Sequence, residues 1–214
     1  MNEYELRVAI ITTAMKMNAL RINHGKAGNV SARSGDGYLI TPSGLPYDET
    51  NADDIVHMDL TGIAVGRRLP SSEWRFHQDI YVSRAEVNAV VHTHSPYATT
   101  LACMELGVPA FHYMVAVAGG KTIRCAPYAT FGTQALSDNA IAALAGRKAC
   151  LLANHGLIAI GPSLKAALAL AVEVEALCGQ FWRVLQIGKP ILLSDAEMDV
   201  VLEKFSTYSQ TGAE

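Results

Sequence analysis

The segment His92-Thr93-His94 follows the apolar run Ala89-Val90-Val91, and His155 follows the apolar stretch Ala149 to Ala153 with a glycine after it. Side chains alternate along an extended chain, so His92 and His94 leave their strand on the same face and can reach one ion. Three neutral imidazoles around an ion with an open position form a typical catalytic zinc site. A His-x-His pair alone serves as readily for surface hydrogen bonding. Two strand-end histidine sites, each after a buried run and before turn residues, favour a metal. His24, His57 and His112 lack that setting and are read as non-ligands. His77, one turn after Glu73, reads as a packing or hydrogen-bonding support of its helix. For Glu73 the spacing leaves three roles open: anionic ligand, general base, or a glutamate serving the helix dipole.

Three small polar turns, Gly28-Asn29, Ser43-Gly44 and Ser71-Ser72, are rich in hydrogen-bond donors. Glycine lets a backbone approach an anion closely, and Ser71-Ser72 stands where a helix N-terminus favours negative charge. Each is by itself as well explained as an ordinary turn or cap, and spacing alone cannot bring them together. Seventeen Lys+Arg against twenty Asp+Glu give a net charge of -3, without a basic run. That balance argues against a nucleic-acid partner and implies that an anionic substrate is held by local dipoles rather than by a general positive field.

These groups need elements to carry them. Leu6, Ile10, Thr13, Met17 and Leu20 recur at helical steps, predicting a first helix ending near Asn23-His24-Gly25. A hairpin follows, turning at Ser34-Gly35-Asp36-Gly37, and then short strands over 55–59 and 63–65. The pattern predicts a helix over 73–84, entered through serines ready to cap it, and a strand from Asn88 into His92. Ser95 and Pro96 then open a helix closed by Gly107, and Thr133 caps another to about Ala145. Strands over 149–153 and 157–160 precede a long helix over 163–187 and a last one opened by the capping box Ser194-x-x-Glu197.

Turns too short for crossovers join the early strands, so the expected fold is α/β: a single layered domain over 1–214 with a central, largely antiparallel sheet flanked by helices. Half of the 214 residues are hydrophobic and 17% are charged, as expected of a globular protein. Glu173 and Glu175 interrupt the apolar stretch from Ala166 to Cys178, which reads as a buried helix and not a membrane span. The acidic N-terminus lacks the marks of a signal peptide. Four separated cysteines read as core residues of a reduced protein, so the expected location is cytoplasmic.

Taken together, these residues resemble a known family. Ala27-Gly28-Asn29-Val30-Ser31, Ile40-Thr41-Pro42-Ser43-Gly44, Pro70-Ser71-Ser72-Glu73-Trp74-Arg75-Phe76-His77 and Ala89-Val90-Val91-His92-Thr93-His94 appear in order. They are followed by His112-Tyr113-Met114, by the segment from Cys125 to Thr133, and by His155-Gly156-Leu157-Ile158. The chain resembles the class II aldolases of the L-fuculose-1-phosphate aldolase type, a family shared with ribulose-5-phosphate 4-epimerase and the adducin head domain. The resemblance implies one zinc ion per subunit, held by His92, His94 and His155 with Glu73 as fourth ligand in the absence of substrate. It implies that Gly28, Asn29, Ser43, Gly44, Ser71 and Ser72 hold a substrate phosphate; Ser43 stands where threonine is common. Glu73 would act as base, Tyr113 as a proton donor from a neighbouring subunit, and Phe131 and Tyr208 would shape the aldehyde pocket. The implied activity is reversible cleavage of a ketose 1-phosphate, with L-fuculose 1-phosphate first, to dihydroxyacetone phosphate and a small aldehyde through an enediolate. 5-Deoxyribulose or methylthioribulose 1-phosphate is the alternative, and a 4-epimerase or an adducin-like interaction module is more remote. A homotetramer with sites at subunit interfaces is also implied.

Overall fold

The computed structural model describes residues 1–208, without the side chains of residues 207 and 208. Helix α1 (Glu3–Ala19) opens on a capping box in which Asn2 and Glu5 satisfy each other's backbone N–H groups. It ends earlier than the periodicity predicts, because Arg21 turns into the left-handed region at φ 59°. The hairpin β1 (Asn29–Ser34) and β2 (Gly37–Ile40) follows, then β3 (Val56–Asp59) and β4 (Ala64–Val65). Next come α2 (Trp74–Ser83), β5 (Ala89–Thr93), α3 (Pro96–Ala102), β6 (Arg124–Ala126) and α4 (Gln134–Leu144). The chain continues through β7 (Ala149–Leu152), β8 (Gly156–Gly161), α5 (Leu164–Ile187) and α6 (Asp195–Tyr208).

The strands form one sheet in the order β4-β3-β2-β1-β5-β8-β7-β6. Every pair is antiparallel except β6 with β7, which agrees with the expected layered α/β fold. Strand β6 was not expected; a three-residue edge strand is too short to display alternation. Alternation along β5 divides the core. Ala89 and Val91 face α1, α3 and α5, whereas Val90 faces α2 and α4. Antiparallel pairing also collects chain ends: the starts of β1 and β8 lie beside the ends of β2, β5 and β7.

Three further helix ends differ from expectation. Ser95 is the N-cap of α3 but makes no side-chain cap bond. The buried Glu175 of α5 replaces it, accepting from the N–H groups of Tyr97 and Ala98 at 2.8 Å each. A glutamate that looked like an interruption in an apolar helix thus anchors the turn just after His94. Helix α3 stops at Ala102, with Glu105 left-handed at φ 52°, so Gly107 closes nothing. Its own constraint is the Ile123 carbonyl, which would stand 2.6 Å from an added Cβ. At α2 the N-cap is Glu73, not a serine, and its side chain makes no cap bond. Of the cysteines, Cys150 and Cys178 are buried, but Cys103 is exposed and so is not a core residue. None of the described helices is long and apolar enough to cross a membrane.

Replacing Glu175 by alanine should leave two α3 amides without their acceptor and lower stability by about 1–3 kcal/mol, read from denaturant midpoints. Glu175→Gln, which keeps an acceptor oxygen, should lose less.

Candidate active site

The register explains why distant histidines meet. Strand β5 lies between β1 and β8, pairing His92 with Asn29 on one side and with Ile158 on the other. His92 shares the Val90 face, beneath α2, where its ring meets Phe76 edge-on at 5.4 Å. His94 continues the alternation beyond the strand. His155 sits in the short turn from β7 to β8, after Asn154 in the left-handed conformation at φ 54°. Gly156 allows β8 to approach, since a Cβ there would lie 2.3 Å from the Thr93 carbonyl.

The imidazoles of His92, His94 and His155 and the Glu73 carboxylate each offer a ligand atom, all within 4.8 Å of one another. The two strand Nε2 atoms are 3.1 Å apart. Glu73 Oε2 lies 3.2 Å from His92 Nε2, and Oε1 lies 3.1 Å from His155 Nε2. On the far side of its ring, His92 donates Nδ1–H to the Leu157 carbonyl at 2.8 Å. A carbonyl can only accept, so that bond places a proton on Nδ1, and in the neutral ring the Nε2 lone pair faces the cluster. Glu73 Oε1 is buried and has no hydrogen-bond partner among the described residues. An orphaned carboxylate oxygen beside converging imidazole nitrogens suits a divalent cation in the donor set common for zinc.

Electrostatics agree. Burial alone would raise the Glu73 carboxyl, but His92 and His155 outweigh it and hold the group well below the ordinary carboxylate range. Burial, reinforced by His92, pushes His94 down to about 3. His77 is pushed down to about 3 by its complete burial and by His92. It is not a member of the cluster. Its ring lies one step behind, with Nε2 2.5 Å from Asn29 Oδ1 and Nδ1 2.6 Å from Ser31 Oγ. His24 and His57 stand outside the cluster as expected, and His112 accepts from Met114 N at the start of a short 3-10 turn.

Glu73, His94 and His155 line a cavity of about 320 Å³, with His92 fully buried behind them. The three polar turns that sequence spacing could not connect also line it. An isolated bridge between Pro42 and Pro70, with Ser71 N–H donating to Thr41 O at 3.0 Å, draws the second and third turns together. Gly28, at φ +68°, begins the first; a Cβ there would lie 2.4 Å from the His92 carbonyl. Ser71 Oγ accepts from Glu73 N at 3.3 Å, turning the carboxylate toward the imidazoles. Phe131 lines the cavity and is 66% exposed. Tyr113 does not line it: half exposed, it borders a separate groove with Met114 and Phe205. Tyr208 closes α6, and its side chain lies outside the described residues. Sequence reasoning missed Tyr128 and Lys26, both on the cavity wall. Their only signal was position, Lys26 two residues before Gly28 and Tyr128 three before Phe131.

The match to known proteins follows this geometry. Residues 8–182 fit the family described as "Class II Aldolase and Adducin N-terminal domain". A protein of Rhodospirillum rubrum named 5-methylthioribulose-1-phosphate/5-deoxyribulose-1-phosphate aldolase is 58% identical over 203 residues, covering 95% of this chain and 92% of that protein. The L-fuculose phosphate aldolase of Escherichia coli strain K12 is 50% identical over 209 residues, covering 97% of each chain. A solved structure described as L-fuculose 1-phosphate aldolase superposes with a TM-score of 0.92 at 41% identity, covering 94% of this chain and 96% of the other. The chain belongs to the class II aldolase family, and within it to the aldolases, which are metal-dependent carbon–carbon lyases.

The buried histidines make the metal-free protein acid-sensitive. With folded-state values near 3 against an ordinary 6.5, the unfolded chain binds protons that His77 and His94 refuse in the folded one. Stability should therefore be complete above pH ~6.5 and fall as pH drops toward 3, by at most about 1.4 kcal/mol per pH unit for each proton. Denaturant midpoints of chelator-treated protein across that range would show it; a flat profile would contradict the burial argument.

Proposed function

We propose that the chain is a zinc-dependent aldolase that reversibly cleaves a ketose 1-phosphate to dihydroxyacetone phosphate and a small aldehyde. The observation carrying this reading is the convergence of Glu73, His92, His94 and His155, three of which (Glu73, His94 and His155) line a cavity that three donor-rich turns also line. His92, His94 and His155 would hold a zinc ion, with Glu73 as fourth ligand in the absence of substrate, and the ion would supply Lewis acidity for negative charge on the substrate oxygens.

The chain's own groups do the rest. Gly28, Asn29, Ser43, Gly44, Ser71 and Ser72 hold the phosphate, which orients the reacting carbon. Asn29 supports this role, since its second amide N–H has no partner among the described residues after the first is given to Glu73. Glu73 takes the carbon-bound proton in the condensation direction and returns it after cleavage. Phe131 forms the aldehyde side, a role that the resemblance extends to Tyr208, whose side chain lies outside the described residues. Tyr113 lies outside its own chain's cavity, which supports its delivery by a neighbouring copy in a homotetramer, where it protonates the aldehyde oxygen as the new bond forms.

For the aldehyde, the exposed aromatic surfaces of Tyr128 and Phe131 favour an apolar tail. Together with the 58% identity to the Rhodospirillum rubrum aldolase, this puts 5-deoxyribulose and methylthioribulose 1-phosphates before the first expectation, L-fuculose 1-phosphate. The 50% identity to the Escherichia coli enzyme keeps the fuculose phosphate as the second reading.

Chelator-stripped protein should lose cleavage of all three phosphates and regain it with one equivalent of zinc per chain. Preference within the panel should span only about ten- to a hundredfold, because a small apolar pocket discriminates weakly. Full activity in demonstrably metal-free enzyme would sink the proposal. Glu73→Gln and Tyr113→Phe should each be impaired alone, the first in exchange of the carbon-bound proton and the second in bond making. Mixed oligomers of the two should recover activity, since a shared site then has one intact Glu73–Tyr113 pair. No recovery, with Tyr128→Phe as the inactive variant instead, would assign the proton donor to the chain's own wall.

A further inference from the structure

Behind the metal cluster runs a buried line of polar side chains, three of which (Ser31, His77 and Tyr81) belong to neither the ligand set nor the phosphate turns. On α2 and its N-cap, Glu73, His77 and Tyr81 recur every fourth residue; on β1, Asn29 and Ser31 are two apart. Four helical residues rise about 6 Å and two strand residues about 6.7 Å, so the two rows stay in step where helix crosses strand. The bonds interleave them. Tyr81 Oη lies 2.8 Å from Ser31 Oγ, and Ser31 Oγ lies 2.6 Å from His77 Nδ1. His77 Nε2 is 2.5 Å from Asn29 Oδ1, and Asn29 Nδ2 donates to Glu73 Oε2 at 2.9 Å. All five residues are buried, His77 and Ser31 completely.

The donor direction of this line is determined. Asn29 must present its NH₂ to the carboxylate, because the opposite amide orientation would set two acceptor oxygens together. Its Oδ1 then requires a donor, so His77 carries its proton on Nε2. Nδ1 becomes an acceptor and takes the Ser31 hydroxyl hydrogen, and the Ser31 oxygen accepts from Tyr81. Every hydrogen points toward Glu73.

We propose that His77 is a positioning residue of the aldolase site: through Asn29, the Tyr81–Ser31–His77 line fixes the place of the Glu73 carboxylate. The inference rests on Glu73 being both ligand and base. Neutral His77 can donate and accept in opposite directions at once, which neither an aliphatic nor a phenyl side chain can do. Glutamine can reproduce both, with Nε2 toward Asn29 and Oε1 toward Ser31.

The test is a double-mutant cycle with two readouts, zinc affinity by chelator competition and exchange of the carbon-bound proton of dihydroxyacetone phosphate. His77→Phe should weaken zinc binding and slow exchange by about 10–100-fold, as loss of an outer partner of a metal ligand does. His77→Gln should recover most of both. In a Glu73→Gln background, His77→Phe should add nothing to either readout. Should His77→Phe fail to fold, Tyr81→Phe, which removes only the far hydroxyl, should give a smaller loss with the same dependence on Glu73. Equal losses in both backgrounds, or none in either, would overturn the positioning role. If Glu73→Gln itself retained proton exchange, the base assignment would fall, while the zinc-affinity cycle would still decide whether His77 acts through Glu73.

Discussion

The site depends on the hydrogen-bonded register of β5 between β1 and β8. Asn29 opposite His92 and Ile158 on the other side fix which faces the side chains of β5 take. A slip of one residue would turn His92 to the opposite face, away from α2. Antiparallel pairing also gathers the start of β1, the ends of β2 and β5, and the turn before β8 at one end of the sheet. Residues from four parts of the chain therefore meet without any long excursion.

On that frame the protein has placed an arrangement that is costly in the absence of a cation. A carboxylate is buried with one oxygen unpartnered, and imidazole nitrogens converge on it. Burial of charge is unfavourable unless paired or metal-bound, so the cluster favours binding of a cation. Close backbone packing maintains it. Gly28 lies against the His92 carbonyl and Gly156 against that of Thr93, where any side chain would force the strands apart. Behind α3, Glu175 holds the chain just after His94, and behind Glu73 the polar line through Asn29 and His77 does the same from the other side.

The proposed phosphate cradle would let an acidic chain meet an anion. With a net charge of -3 there is no broad positive field. What the wall offers is local: amides of small turns, serine hydroxyls, the N-terminal end of α2, and the single lysine Lys26 at its margin. Specific donors at short range can hold a phosphate without the indiscriminate attraction of a basic surface.

Much of this was legible in the sequence, because alternation and capping are local properties. The antiparallel α/β sheet, the shared face of His92 and His94, the Thr133 cap and the Ser194–Glu197 capping box all follow from neighbouring residues. The motif blocks were sufficient for the family. What spacing could not determine was anything carried by residues far apart. Spacing could not say where the Glu73 side chain points; the structure turns it away from the helix N-terminus, which it leaves uncapped, and toward the imidazoles. Ser95 looked like the cap of α3 because a side chain 80 residues later, Glu175, could not be foreseen to take its place. The three polar turns could be read as ordinary turns until the Pro42–Pro70 bridge joined two of them, and nothing linked Asn29, Ser31, His77 and Tyr81 until helix and strand crossed. Local chemistry decided which groups the chain owns; only the pairing of distant segments decided which of them share a site.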